Sequence, residues 1–118
     1  MRAGDTSVSV EVFSTYLSAF AEPVDGGLRQ MLDPMTFGAW EPADVWADLR
    51  SLAMPLHIVR GGTSDVLSSD VVNEMRAQLP AARFHEVDGA GNFLMLAKPE
   101  RLAAIIDEVV LEVEAIGA

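Results

Sequence analysis

The spacing of apolar residues predicts helical structure in the first part of the chain. Apolar side chains in residues 10–20 recur at intervals that place them on one helical face, and the turn-forming residues 25–27 (Asp-Gly-Gly) end that helix. Residues 28–40 show no regular period. A second helix is predicted to begin with Pro42 at its first position, where proline is favoured. We therefore predict that residues 1–52 form a helical, connecting part of the fold.

The second part of the chain alternates between strand and helix signals. Residues 55–60 form a short apolar run and residues 83–87 a second strand candidate, and a glycine-containing turn follows each. Between them, Ser68 or Ser69 can cap a helix. From Pro99 onward, apolar residues follow the spacing of an amphipathic helix. The predicted solvent side of that last helix carries Glu108, Glu112 and Glu114.

These elements form a βαβα unit over residues 53–118, and the fold class is therefore α/β. The two strands are expected to be parallel, because a crossover helix joins them. Parallel strands are normally flanked by neighbours, and a two-stranded parallel sheet with two open edges makes a poor free-standing domain. Residues 1–118 are accordingly predicted to be a single but partial domain, with a sheet that is incomplete or completed by another chain.

Composition narrows the function without identifying it. The 118 residues include 18 acidic and 8 basic side chains, a net charge of −10, and no cysteine. This charge disfavours nucleic-acid and anionic-membrane partners, because both kinds of binding depend on clustered Lys and Arg. The lack of cysteine excludes disulfides and cysteine-bound zinc. With no apolar run of about 18 residues and no recognisable signal peptide, a cytoplasmic protein is expected.

The candidate chemistry is concentrated near the two predicted strands. Ligand sites of open α/β sheets lie at the carboxyl ends of the strands, which here lead into residues 61–69 and 88–92. The side chains considered for chemistry are His57, Ser64, Asp65, His85, Asp88 and Asn92.

Most of these residues also have a structural interpretation. His57 and His85 lie inside strands, where histidine more often packs than reacts, although the two could be cross-strand neighbours. No His-Glu-x-x-His spacing is present, so no metal site is predicted. Ser64 is disfavoured as a nucleophile because Val66 replaces the second glycine of a Gly-x-Ser-x-Gly elbow. Asp65 could orient an imidazole or simply stabilise a turn.

Four segments in order resemble the C-terminal portion of α/β-hydrolase fold enzymes. PLHIVRGGTSDVLS (residues 55–68) resembles their late strand and acid-bearing loop, and VDGAGNFLMLAKPE (residues 87–100) resembles the segment after their last strand. The helix from Pro99 matches the family's final helix. VDGGLRQMLDP (residues 24–34) resembles the stretch that leaves the helical cap before that late strand. No single motif is specific, and the likeness rests on order and spacing.

The resemblance assigns roles to two residues. Family members carry a triad in the order Ser, then Asp or Glu, then His. Asp65 is the candidate acid, although the usual spacing from Gly61 falls on Ser64 and some members carry the acid after an earlier strand. Asn92 occupies the position of the family's histidine, in a loop that Gly89 and Gly91 would shape. An amide cannot act as a general base near neutral pH.

The resemblance implies a serine-type acyl or ester hydrolase. This chain lacks the nucleophile elbow and the catalytic histidine of such an enzyme. No cofactor is implied. The chain is expected to be inactive alone, either as a truncated part of such an enzyme or as a non-catalytic interaction protein derived from the fold. Expected partners are a second copy of the chain or a complementing N-terminal chain, with a small-molecule substrate only in a complete enzyme.

Overall fold

The structure, a computed structural model, describes residues 6–117, apart from the side chain of Phe37. They form two compact units, residues 9–44 and residues 6–8 with 45–117. The helix Trp46–Ser51, which directly precedes the parallel sheet, therefore groups with that sheet. The subdivision predicted from the sequence places this helix in residues 1–52 instead. The N-terminal residues 1–5, which entered the expectation about a signal peptide, lie outside the described residues.

The unit of residues 9–44 combines a helix with a hairpin. Its elements are α1 (Val10–Ser18), β1 (Ala21–Val24), β2 (Gly27–Gln30) and α2 (Met35–Gly38). Helix α1 begins where predicted, because the Ser9 hydroxyl accepts a hydrogen bond of 3.2 Å from the amide of Val12. Tyr16 on α1 packs against the ring of Phe20 at 5.0 Å between centroids.

The antiparallel hairpin corrects the prediction that residues 28–40 are irregular. Strand β1 pairs with β2, and Val24 lies opposite Gly27. The loop between them is Asp25-Gly26, a dipeptide that favours two-residue hairpin turns. The sequence reasoning used this dipeptide only as a helix stop, and so missed both strands. The exposed Arg29 and Glu22 form an ion pair across the hairpin.

The other unit contains the predicted βαβα arrangement. Its elements are α3 (Trp46–Ser51), β3 (His57–Gly61), α4 (Ser69–Gln78), β4 (Arg83–Val87), α5 (Leu94–Ala97) and α6 (Pro99–Gly117). Helix α3 begins at Trp46, so the predicted start at Pro42 is wrong. Ser68 is the residue that caps α4, since its hydroxyl accepts from the amide of Val71. The short helix α5 was not predicted. None of the helices in the described part of the chain is long and apolar enough to cross a membrane.

Strands β3 and β4 are parallel, and their side chains alternate between two faces. His57 and Val59 lie on the face that α6 covers, since His57 bonds to that helix and Val59 packs against the core cluster that includes Ile105 of α6. On the other face, Ile58 is level with Phe84, and Arg76 of α4 lies 4.5 Å above the Phe84 ring. Helices therefore lie against both faces of this small sheet.

The core is small for the number of apolar residues available. It centres on Val87, Ala90 and Ile105, with Val59 and Leu94 packed against it. Many large apolar side chains remain exposed, among them Ile106, Val110 and Val113 along one side of α6. Within residues 6–117, each parallel strand pairs with only one neighbour. The sheet is incomplete, as the sequence predicts.

Candidate functional site

The loops that follow β3 and β4 are joined by backbone hydrogen bonds. The Gly62 amide donates to the carbonyl of Val87 at 2.9 Å. The amide and the hydroxyl of Thr63 both donate to the carbonyl of Ala90, each at 3.0 Å. The structure thus brings together the carboxyl ends of the two strands, where ligand sites of α/β sheets are found. We refer to residues 61–65 and 87–92 as the loop junction.

Gly61 is required at the junction by close approach of two backbones. A Cβ at this position would lie 2.1 Å from the carbonyl oxygen of Gly91 and 2.6 Å from that of Ala90. The glycine-containing turn predicted after this strand does not by itself explain Gly61, because its lack of a side chain is what lets the neighbouring loop cross it. Gly89 has a different role, because its φ of +72° lies in the left-handed region that favours glycine.

Arg60 holds the loop that carries Asp65. Its side chain is 10% exposed, and its Nε donates to the carbonyl of Leu67 at 2.6 Å. A terminal nitrogen donates to the carbonyl of Ser64 at 3.3 Å, and the other lies 3.2 Å from the Glu86 carboxylate on β4. Sequence reasoning did not single out Arg60. The sequence shows an arginine directly before two glycines, but the burial that gives Arg60 its role appears only in the structure.

Ser64 has a structural role in the described chain. It is 6% exposed, and its Oγ accepts a hydrogen bond of 3.2 Å from the Leu67 amide. Its own amide donates to the carbonyl of Gly61, so the residue closes the turn after β3. These contacts agree with the sequence argument against a nucleophilic Ser64.

Asp65 and Asn92 lie on the two different loops of the junction. Asp65 is two residues beyond Thr63, and Asn92 is two residues beyond Ala90, so the bonded pair fixes the base of both loops. Both side chains belong to exposed residues. A second carboxylate is nearby, because Asp88 Oδ1 lies 3.7 Å from the point that a Cβ on Gly62 would occupy. The loop junction therefore contains two carboxylates, Asp65 on one loop and Asp88 on the other.

His57 is the first residue of β3, and His85 is the middle residue of β4. His57 Nδ1 and His85 Nε2 are 2.9 Å apart, so the residues are cross-strand neighbours. His57 Nε2 also lies 2.6 Å from Glu112 Oε2 on α6. The predicted solvent position of Glu112 is therefore wrong. Its spacing of seven residues from the buried Ile105 places it on the same helical face. Within residues 6–117, no group of three or more His, Asp or Glu side chains is arranged to hold a metal ion.

An apolar groove of about 490 Å³ also lies at the amino ends of the strands, away from the loop junction. Leu56 and Ala82, which immediately precede β3 and β4, line it. Its polar side chains are Arg50 and Gln78, which bond to each other at 2.6 Å. The groove offers no nucleophile or acid, so the candidate chemistry remains at the loop junction.

Comparison with solved structures identifies the fold. The chain resembles E-2-(acetamidomethylene)succinate hydrolase with a TM-score of 0.72 and 22% sequence identity over 88% of its length. It also resembles the thioesterase domain from the curacin biosynthetic pathway, with a TM-score of 0.65 and 23% identity over 85% of its length. The chain has part of the α/β-hydrolase fold.

The α/β-hydrolase likeness covers most of this chain but a smaller share of its neighbours. The chain spans 40% of the hydrolase and 36% of the thioesterase domain. No protein-family model and no curated protein matches the sequence. The sequence resemblance to a portion of the α/β-hydrolase fold is thus confirmed at the level of structure.

Proposed function

We propose that this chain supplies the acid loop and the final loop of an α/β-hydrolase site for acyl transfer. Asp65 is the acid, and Asn92 occupies the histidine position. The observation that carries the proposal is the loop junction, in which Thr63 bonds to Ala90 and Gly61 permits the close crossing. One structural neighbour is a hydrolase and the other a thioesterase domain, which supports hydrolysis as the reaction class.

The chemistry of acyl transfer indicates what these residues lack. A serine attacks, an imidazole takes its proton, and a carboxylate orients the imidazole. The chain contains no Gly-x-Ser-x-Gly sequence, and Asn92 cannot accept the proton. We therefore infer that these 118 residues do not turn over esters by themselves. A working site with a small-molecule substrate requires an N-terminal part of the fold that supplies the nucleophile elbow.

Restoring the imidazole tests which carboxylate faces Asn92. In the Asn92→His variant, NMR measures the pH at which the new ring is half protonated. If Asp65 is the acid, adding Asp65→Asn lowers that pH by about one unit or more, because a nearby carboxylate stabilises the charged imidazole. Asp70→Asn is the matched control, since Asp70 is exposed in the first turn of α4.

Two results of this titration contradict the assignment. A shift on Asp88→Asn but not on Asp65→Asn transfers the role of acid to Asp88. No shift with either change shows that neither carboxylate faces the histidine position, and the proposed site is then abandoned.

Inactivity of the chain alone is tested with a p-nitrophenyl ester and a fluorophosphonate probe. We expect no turnover above buffer and no labelling, because Ser64 is buried and its Oγ is hydrogen-bonded. Turnover that is lost in Ser64→Ala, or labelling of Ser64, would overturn the inference.

A second candidate function is non-catalytic assembly with another copy or with an N-terminal chain. The observation that favours it is the exposed stripe Ile106, Val110 and Val113 on α6, beside a sheet with unpaired edges. Burial of such a stripe contributes a favourable transfer term of about 25 cal/mol for each Å² of apolar surface, against which association costs rigid-body and side-chain freedom. If the chain dimerises through it, Ile106→Asp yields monomers in light scattering, whereas Leu111→Asp does not.

The outcome of that experiment separates the candidates. A stable monomer of the native chain at micromolar concentration contradicts self-assembly. An adjacent upstream reading frame that encodes Gly-x-Ser-x-Gly would favour the divided enzyme, and its absence would favour the interaction protein.

A further inference from the structure

One edge of β3 is open to a further strand. The Leu56 carbonyl accepts a hydrogen bond of 2.9 Å from the Arg83 amide at the start of β4, so the backbone of Leu56 faces β4. Backbone groups of successive strand residues point to opposite sides, so the amides and carbonyls of His57 and Val59 point away from β4. Within residues 6–117, β3 pairs only with β4. The backbone groups of His57 and Val59 can therefore bond to another strand.

Helix α6 lies over the gap between β3 and β4. Its buried Ile105 packs with Val87 of β4, and Val59 of β3 packs against the same cluster. Helix α4 lies on the opposite face of the sheet, where Arg76 contacts the Phe84 ring. Because α4 joins two parallel strands and such crossovers are right-handed, this placement also fixes the flank of α6 that lies above the open β3 edge.

The two flanks of α6 differ in character. Each residue of an α-helix advances by about 100°, clockwise when the helix is viewed from its N-terminus. With Ile105 toward the sheet, the exposed apolar stripe described above lies on the flank above the open β3 edge. This stripe consists of Ile106, Val110 and Val113. The flank above the β4 edge carries the exposed charged residues Arg101 and Glu108. The open edge and the apolar stripe therefore lie on the same side of the sheet.

The distribution of charge favours the β3 side for contact with a second copy of the chain. The chain has a net charge of −10, so two copies repel wherever their acidic groups meet. The apolar stripe contains no charged side chain, and Ile58 and Val59 of β3 are half-buried. Strand β4 instead has the exposed Arg83 and Glu86, and charges of this kind protect an edge strand from further pairing.

We propose that two copies of the chain join through β3 and α6 about a two-fold axis perpendicular to the sheet. The inference rests on the assembly given above as the second candidate function, and it names the occupant and the geometry. Strand β3 pairs antiparallel with β3 of the second copy, so that Val59 lies opposite Val59 and the strand order is β4–β3–β3–β4. Because this axis preserves the faces of the sheet, both α6 helices lie on one face.

The spacing of the elements supports this arrangement. Each α6 lies over the gap between two strands, so the axes of the two helices are two strand spacings apart, or about 9.6 Å. Packed helices have axes about 8–10 Å apart, so pairing of the β3 edges brings the two apolar stripes into contact. Because Ile105 packs level with Val59, Ile106 of one copy meets Ile106 of the second copy near the axis.

Disulfide cross-linking tests the geometry cleanly, because the chain contains no cysteine. We expect Ile106→Cys to form a covalent dimer under mild oxidation. Val113→Cys is the matched control, since Ile106 and Val113 are 52% and 51% exposed. In the antiparallel arrangement the two copies of residue 113 lie about 20 Å apart, beyond the reach of about 7 Å between disulfide-linked Cα atoms.

Hydrogen exchange of the native chain tests the strand pairing without any substitution. We expect exchange of the Val59 amide to slow as the chain concentration rises, while the Ile58 amide, which faces β4, is protected at every concentration. In Ile106→Asp, the Val59 amide should exchange fast at all concentrations.

The outcomes separate this geometry from self-assembly in general. A native chain that is monomeric in light scattering at micromolar concentration overturns both, and leaves the β3 edge to an N-terminal chain. A dimer that cross-links through Val113→Cys, or not through Ile106→Cys, overturns the geometry alone. So does a dimer in which the Val59 amide still exchanges fast.

Discussion

Replacing Gly61 with alanine would place a methyl group against the backbone of the neighbouring loop. The added Cβ would lie 2.1 Å from the carbonyl oxygen of Gly91 and 2.6 Å from that of Ala90. An ordinary contact requires 3.4 Å or more, so the loops must separate by over an ångström. Both obstructing atoms belong to the main chain, which cannot rotate away as a side chain can.

The cost follows from the hydrogen bonds that such a separation would break. Gly62 donates to Val87 at 2.9 Å, and Thr63 donates twice to Ala90 at 3.0 Å. At about 1 kcal/mol of net stability for each bond, the loss of all three is about 3 kcal/mol. We therefore expect Gly61→Ala to destabilise the chain by about 3 kcal/mol and to expose the amides of Gly62 and Thr63 to exchange.

Urea unfolding followed by circular dichroism measures the change, and hydrogen exchange locates it. Gly62→Ala is the matched control, because its Cβ would meet the movable carboxylate of Glu86 at 3.3 Å. Gly38→Ala is a second control, with nothing within 4 Å of its Cβ. We expect both controls to change stability by less than about 1 kcal/mol. A loss below 1 kcal/mol in Gly61→Ala, with slow exchange at Gly62 and Thr63, would refute the close-approach argument.

Three further substitutions test the packing, the cap and the loop support. Ile105→Ala should cost about 2–5 kcal/mol in urea unfolding, because Ile105 is 1% exposed at the centre of the core, and a loss below 1 kcal/mol would contradict that placement. Ser68→Ala should lower the free energy of unfolding by about 1 kcal/mol, because it removes the α4 cap. Ser69→Ala, one residue inside the helix, should lower it by less, and equal losses would argue against the assigned cap. Arg60→Met should lower the free energy of unfolding by about 2–3 kcal/mol and speed amide exchange at Leu67, because two loop carbonyls lose a charged donor. Unchanged exchange would show that the loop does not depend on Arg60.

Local sequence signals predicted the bounds of an element correctly where residues at its own ends mark its start or its end. Strand β4 coincides with the predicted residues 83–87, and α6 begins at the predicted Pro99. By contrast, Pro42 met the requirement for a helix start, yet α3 begins at Trp46. A permissive residue shows where a helix could begin, while contacts with the rest of the chain decide where it does begin.

The candidate site could likewise be predicted from the sequence only in part. The pattern of strands and turns was enough to place Asp65 and Asn92 on loops at the same edge of the sheet. The bonds from Thr63 to Ala90 and the support from Arg60 were not foreseen, because they join residues far apart in sequence or use a side chain whose burial no local pattern shows. Glu112 was assigned to solvent from its polarity, although its helical spacing from Ile105 places it beside His57.

The sequence by itself determined the α/β class, the order of the βαβα elements and the incomplete sheet. These properties depend on periodicity, turn residues and residue identity, all of which act over a few positions. Only the tertiary structure decided that Gly61 is a crossing point and that His57 connects β4 to α6. Those features depend on distances between atoms up to 55 residues apart, which are fixed only when the strands pair and α6 packs.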